Sequence, residues 1–131
     1  MPFYKIADMP AKKGGTGGSV SKSVVGELMK AAIVTYQDGE GPMPHVHNNE
    51  EQYILMLEGR MRMILGEEDR IIAHGDMVHI PRGVRHGSRA LGPVAFFTVK
   101  SPPGNGDLAQ DSKRADDADE VARRLATVPS P

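Results

Sequence analysis

Cysteine is absent from the 131 residues, which removes disulfides, thiolate zinc sites and cysteine nucleophiles together. Any metal the chain holds must be bound through nitrogen and oxygen. Net charge is nearly absent as well: 16 Lys and Arg stand against 17 Asp and Glu, with no basic stripe interleaved with aromatics. Nucleic acid and anionic membranes are poor partners for such a surface. Long apolar runs are missing too. The longest, such as "YILML" (53–57), falls far short of a bilayer span, and the opening "MPFYKIADMPAKK" has no apolar signal core. We expect a soluble, cytoplasmic protein with no membrane segment, long enough for one closed core and too short for two.

The chain divides into three parts. Residues 1–22 form an amino-terminal arm containing "KKGGTGGS", whose glycines fit no G-x-G-x-x-G or G-x-x-x-x-G-K-[ST] phosphate cradle and read as a mobile surface loop. Residues 23–100 are short segments rich in Val, Ile, Leu, Met and Phe, cut by Gly, Pro and acidic turns, which is an all-β pattern. The expected strands are "SVVGELMKAAIVTY" with a break at Gly26, "HVH", "QYILMLEG", "RMRMIL", "DRIIA", "DMVHIP", "RHGSRA" and "VAFFTVK". The turns "LGEED" and "AHGD" join neighbours into hairpins. Residues 101–131 change character at "SPPGNGD". Beyond it, Ala115, Ala118, Val121, Ala122 and Leu125 recur at helical spacing, with acids early and Arg123 and Arg124 late, as a helix dipole prefers. One short helix packed on the barrel is expected.

The chemistry gathers at "MPHVHNNEEQYILMLEG" (43–59). Alternate residues of a strand share a face, so His45 and His47 point the same way with Val46 opposed. Two neutral imidazoles at that spacing can share one metal ion. A third, His86, arrives from a separate strand in "GDMVHIPRGVRHG" (75–87), where Pro81 and Gly83 set a turn just before it.

In these two stretches the chain resembles the cupin superfamily. Gly39 to Gly59 is similar to the first cupin motif, G-x5-H-x-H-x3or4-E-x6-G, and Gly75, Pro81, Gly83 and His86 follow the second, G-x5-P-x-G-x2-H-x3-N. The resemblance spans residues 30–100 and implies a jelly-roll β-barrel or sandwich with one divalent metal. Two positions depart from the pattern. Ala90 stands in place of the closing asparagine, and the count back from Gly59 puts Gln52, not a glutamate, at the fourth ligand position. Glu51 is one place early and would point outward unless a bulge restored it. Some cupins, including one that acts on unsaturated uronates and some polyketide cyclases, carry glutamine here.

The ligand set implied is therefore His45, His47, Gln52 and His86, all neutral, which leaves the ion its full charge and strengthens it as a Lewis acid. Zn, Ni, Co, Mn, Fe and Cu all suit such a shell. Inward parity from these ligands assigns Met43, Ile54, Met56, Val84 and Ser88 to the pocket, which then reads as apolar and suited to a hydrophobic or aromatic small-molecule ligand. Glu50 shares parity with Gln52 and is the carboxylate expected to move protons. His79, in "MVHIP", is a second acid or base candidate, whereas His74 falls in an exposed turn.

The opposite face of the same strand, Tyr53, Leu55 and Leu57, is also apolar, and small cupins tend to pair. A homodimer is expected. The function expected is Lewis-acid isomerisation, tautomerisation or cyclisation of a small carbonyl compound. A metal-dependent dioxygenase and a non-catalytic binding or sensing module are the alternatives.

Overall fold

The computed structural model describes residues 3–127. Ten strands and one helix follow in order: β1 (Val20–Val25), β2 (Lys30–Tyr36), β3 (His45–His47), β4 (Glu51–Glu58), β5 (Arg60–Leu65), β6 (Glu68–Ala73), β7 (Met77–Ile80), β8 (His86–Ala90), β9 (Val94–Ser101), β10 (Ser112–Arg114) and α1 (Ala118–Ala126). They form two antiparallel five-stranded sheets, ordered β1-β2-β9-β4-β7 and β10-β3-β8-β5-β6. The sequence dictates this by alternation. Along β2 the buried positions are Lys30, Ala32, Val34 and Tyr36, and along β4 they are Gln52, Ile54 and Met56. These inward rows meet Met61 and Met63 of β5 from the facing sheet, and that contact is the core. The chain is mostly β, as expected, in the jelly-roll arrangement.

The break at Gly26 is the β1–β2 turn, closed by the Gly26 amide donating to the Met29 carbonyl at 2.7 Å. Chain outside 23–100 also enters the sheets: β1 starts at Val20, and β10 forms an edge strand against β3. The helix is shorter than its periodicity implies. Residues 112–114 give their backbone groups to β3, and the Ala115 amide donates to Pro44, so helical hydrogen bonding begins only near Ala118.

Helix α1 buries Val121 and Leu125 against Ile64, on the outer side of the second sheet. Arg62 and Arg89, cross-strand partners on β5 and β8, donate to the carbonyls of Arg124 (2.7 Å) and Ala126 (2.9 Å). Two guanidinium groups thus bind carbonyls of the last helical turn, where the Arg124 carbonyl also accepts the Thr127 amide and hydroxyl. Among the described residues no helix is long and apolar enough to cross a membrane.

β4 carries one irregularity, a register shift between Met56 and Glu58. It lies downstream of the ligand candidates and leaves residues 51–56 in regular alternation. Gly59, just after it, has φ +78°, and an added Cβ would collide with the Pro93 carbonyl. Glycine is the residue that this tight passage into β5 accepts.

Candidate metal centre

β3 and β8 meet at one register pair, His45 opposite His86, so both side chains enter the same space, and His47 joins them two residues along β3. Ring centroids are 4.3 Å apart for His45 and His86, 4.7 Å for His45 and His47, and 5.0 Å for His47 and His86. One nitrogen from each ring lies within 4.8 Å of the others. The lead-in to β8 is tied to β3. Gly83, at φ +78°, closes the turn and donates its amide to the His47 carbonyl at 2.8 Å. That bond sets where His86 begins its strand.

The backbone also fixes the tautomers. His45 Nδ1 lies 2.7 Å from the Met43 carbonyl and His86 Nδ1 lies 3.0 Å from the Val84 carbonyl. A carbonyl only accepts, so each Nδ1 carries the proton and each Nε2 presents a lone pair. His47 is 1% exposed, and neither of its ring nitrogens has a hydrogen-bond partner. Burial lowers the basicity of all three rings: His45 is pushed down, and His47 and His86 fall to about 3. Lys100 and the neighbouring imidazoles act in the same direction. The cluster is neutral at physiological pH and needs no proton loss before it can donate to a metal.

Gln52 faces the same cavity while Glu51 faces out. Its amide orientation follows from its neighbours. Thr98 Oγ1 lies 2.9 Å from the Tyr53 carbonyl and must donate to it, so toward Gln52, at 2.8 Å, it can only accept. The donor is Nε2, and Oε1 is left buried with no partner. Unsatisfied buried oxygens and nitrogens are uncommon and need an explanation. Three imidazole nitrogens and one amide oxygen, all without protons and sharing one cavity, form a donor set that fits a divalent transition metal. The surrounding His, Glu and Asp cluster is compatible with metal binding.

Two other expected residues stand elsewhere. Glu50 is buried, but it lies behind His47 and off the cavity wall. One carboxylate oxygen is 2.8 Å from Lys30 Nζ and the other has no partner, while Glu50, His47 and Asp111 each place a potential ligand atom within 4.8 Å of the others. Asp111 in turn accepts the amides of Asn49 (2.7 Å) and Glu50 (2.8 Å). His79 is on the outside of the barrel, a correction to its place as a pocket acid or base. The register sets Gln52 opposite Ile80 and Tyr53 opposite His79, so Ile80 takes the inward position. His79 stacks on Tyr53 with centroids 4.7 Å apart and reaches Glu51 at 2.6 Å.

The cavity in front of the histidines has a volume of about 620 Å³. Of the residues assigned by parity, Ile54 and Ser88 line it and three do not. Met56 points inward but lies in the closed core, Met43 precedes the strand and is exposed, and Val84 sits in the turn before β8. The walls are also less apolar than expected. Ser21 and Ser23 of β1 and Lys100 of β9 face the cavity, as does Asp107. The glycine loop is part of the structure of the mouth: Lys12 pairs with Ser21, and Gly14 and Gly15 line the opening. Two buried lysines hold the adjoining part of the rim, which Asp107 joins to Lys12. Lys30 and Lys100 each donate, at 2.6 Å, to the carbonyls of Asp107 and Leu108 respectively. The signal for these lysines was in the sequence, since each falls on the inward parity of its strand, beside Ala32, Val34 and Tyr36 on β2 and beside Val94, Phe96 and Thr98 on β9.

Comparison with known proteins agrees with this architecture. The family described as cupin domain matches residues 32–100. Among solved structures, KdgF from a Halomonas species superposes with a TM-score of 0.72 at 23% identity, covering 78% of this chain and 94% of that one. The polyketide cyclase RemF from Streptomyces resistomycificus gives 0.67 at 20% identity, with 77% and 79% covered. A cupin-superfamily sugar phosphate isomerase from Silicibacter pomeroyi gives 0.69 at 15% identity, with 76% and 75% covered. At these identities the likeness is one of fold. No curated protein sequence matches the chain. The domain match covers more than half of the sequence, and with the two sheets and the converging histidines it makes this chain a member of the cupin family.

Proposed function

We propose that His45, His47, Gln52 and His86 hold one divalent transition-metal ion, and that the protein is a non-redox isomerase, tautomerase or cyclase acting on a small carbonyl compound. The observation that carries this reading is the neutral donor set, with buried lone pairs on His47 and on Gln52 Oε1 that nothing among the described residues satisfies. When bound, an ion in such a shell supplies Lewis-acid polarisation of a ligand oxygen at its full charge. The chain's own groups do the rest. The Met43 and Val84 carbonyls hold two rings in the donating tautomer, and Thr98 aims the Gln52 oxygen. Glu50, paired with Lys30 and outside the cavity lining, makes no hydrogen bond to the His47 ring and does not exchange protons with the ligand. Ile54 and Phe96 give the cavity an apolar floor, which strengthens electrostatic contacts made above it. The isomerase and the cyclase among the similar folds support the reading by analogy alone.

The test begins with metal analysis of the wild type and of His45→Ala, followed by turnover assays on enolisable carbonyl compounds. Activity should require the ion, survive strict anaerobiosis, and survive exchange of one redox-silent metal for another. Loss of turnover on removing oxygen, at unchanged metal content, would establish a dioxygenase instead. Tight binding without conversion of any ligand would establish a binding module.

The outer face of β4, β7 and β9 supports a homodimer. Tyr53, Met77 and Phe97 are exposed there, with Leu55 and Leu57 half-buried beside them. A second copy laid on this face would bury a continuous apolar surface.

A further inference from the structure

We propose that Lys100 is an anion anchor in the cavity, so that the ligand is an oxo acid whose carboxylate sits on this ammonium. The 2- or 3-oxo spacing rests on the metal reading above, whereas the demand for a negative charge rests on Lys100 itself. Lys100 lines the cavity and is 6% exposed, yet among the described residues the only hydrogen bond of its ammonium is the one to the Leu108 carbonyl. An ammonium group has three protons to donate.

Each nearby carboxylate has a partner other than Lys100, although one oxygen of Glu50 has none. Glu50 pairs with Lys30 at 2.8 Å, and Asp111 holds the Asn49 and Glu50 amides. Asp107 turns to Lys12 at 3.7 Å and to the Ala109 amide at 3.2 Å. Among the described residues none comes within ion-pair distance of Lys100 Nζ. The three histidines are neutral and an ion would add positive charge, so the cavity wall carries a cation that Glu50, Asp111 and Asp107 offset only from beyond ion-pair distance. A buried cation left unpaired is costly, and a carboxylate provides both the opposite charge and two acceptors.

Position then selects the ligand's shape. Lys100 stands directly opposite Gln52 in the β4–β9 register. Cβ atoms of such cross-strand pairs are about 5 Å apart. A carboxylate on Lys100 and a carbonyl oxygen beside Gln52 therefore fall within one small molecule, on adjacent carbons or one carbon further apart. Ser21 and Ser23, on β1 of the same sheet, also face the cavity and offer hydroxyls to the remainder of such a ligand.

The experiment is calorimetric titration of the full chain, metal-loaded and metal-free, with pyruvate and acetoacetate and with the methyl ester of each. The wild type should bind the acids about tenfold or more tightly than the esters. Lys100→Met should erase that preference without changing metal content, and Lys100→Arg should keep most of it. Equal affinity for acid and ester, no binding of either acid, or a preference that persists in folded Lys100→Met would overturn the proposal. If Lys100→Met does not fold, the acid–ester comparison in the wild type decides. A preparation that takes up no metal but still prefers the acids would reject the metal reading and keep the anchor.

Discussion

Thr98 determines which end of the Gln52 amide faces the histidines. With its own proton committed to the Tyr53 carbonyl, its oxygen can receive only the amide N–H of Gln52, 2.8 Å away. Thr98→Val keeps the shape of the side chain and removes this constraint. Metal affinity measured by chelator competition should fall about tenfold or more, as when other outer partners of metal ligands are removed, with little change in the circular dichroism spectrum. Unchanged affinity would show that the amide needs no such guide.

Acid should weaken the metal-free protein. His47 and His86 titrate near 6.5 when unfolded and are lowered to about 3 in the folded chain, chiefly by burial. At neutral pH both states hold neutral rings. As pH falls below about 6.5, the unfolded chain takes up protons that the folded chain refuses, so stability declines toward about 3. Urea midpoints of chelator-treated protein should follow this slope, and His47→Asn should flatten it.

The buried pair Lys30 and Glu50 gives an independent test of the scaffold. Both side chains are almost wholly excluded from solvent. Lys30→Met leaves a buried carboxylate without its cation, and should cost about 3 to 5 kcal/mol in urea unfolding. The double variant Lys30→Met/Glu50→Leu should recover much of that loss. If the single variant is as stable as the wild type, the pair contributes nothing.

Sedimentation velocity at micromolar concentration should report a dimer, and Tyr53→Glu with Phe97→Glu should convert it to a monomer while leaving the fold intact. A wild type that sediments as a monomer would remove the outer sheet face as an interface.

The ligand candidates were legible because the cues for their placement are local: strand alternation carries His45, His47 and Gln52 to one side, and Pro81 and Gly83 mark the turn before His86. His79 was not, since its facing depends on β4 and β7 pairing Gln52 with Ile80, a contact made 28 residues away in sequence. The polar wall was missed for the same reason. Ser21 reaches the cavity only through the β1–β2 pairing with Val34, and Asp107 only because Lys30, 77 residues away in sequence, holds its carbonyl beside that of Leu108, which Lys100 holds. The helix start was misplaced because β10 takes the backbone of 112–114 as an edge strand, which side-chain periodicity does not reveal.

The rim of the cavity is built from chain that lies outside the matched domain. Lys12, Gly14 and Gly15 precede residue 32, and Gly106 to Ala109 follow residue 100. The histidines and Gln52 lie within it. The histidine cluster and the opening above it thus belong to different stretches of polypeptide, joined at the opening by the Lys12–Asp107 contact. Exchanging the two flanking segments for those of another protein of this fold should alter which molecules enter while the histidine cluster beneath stays as it is.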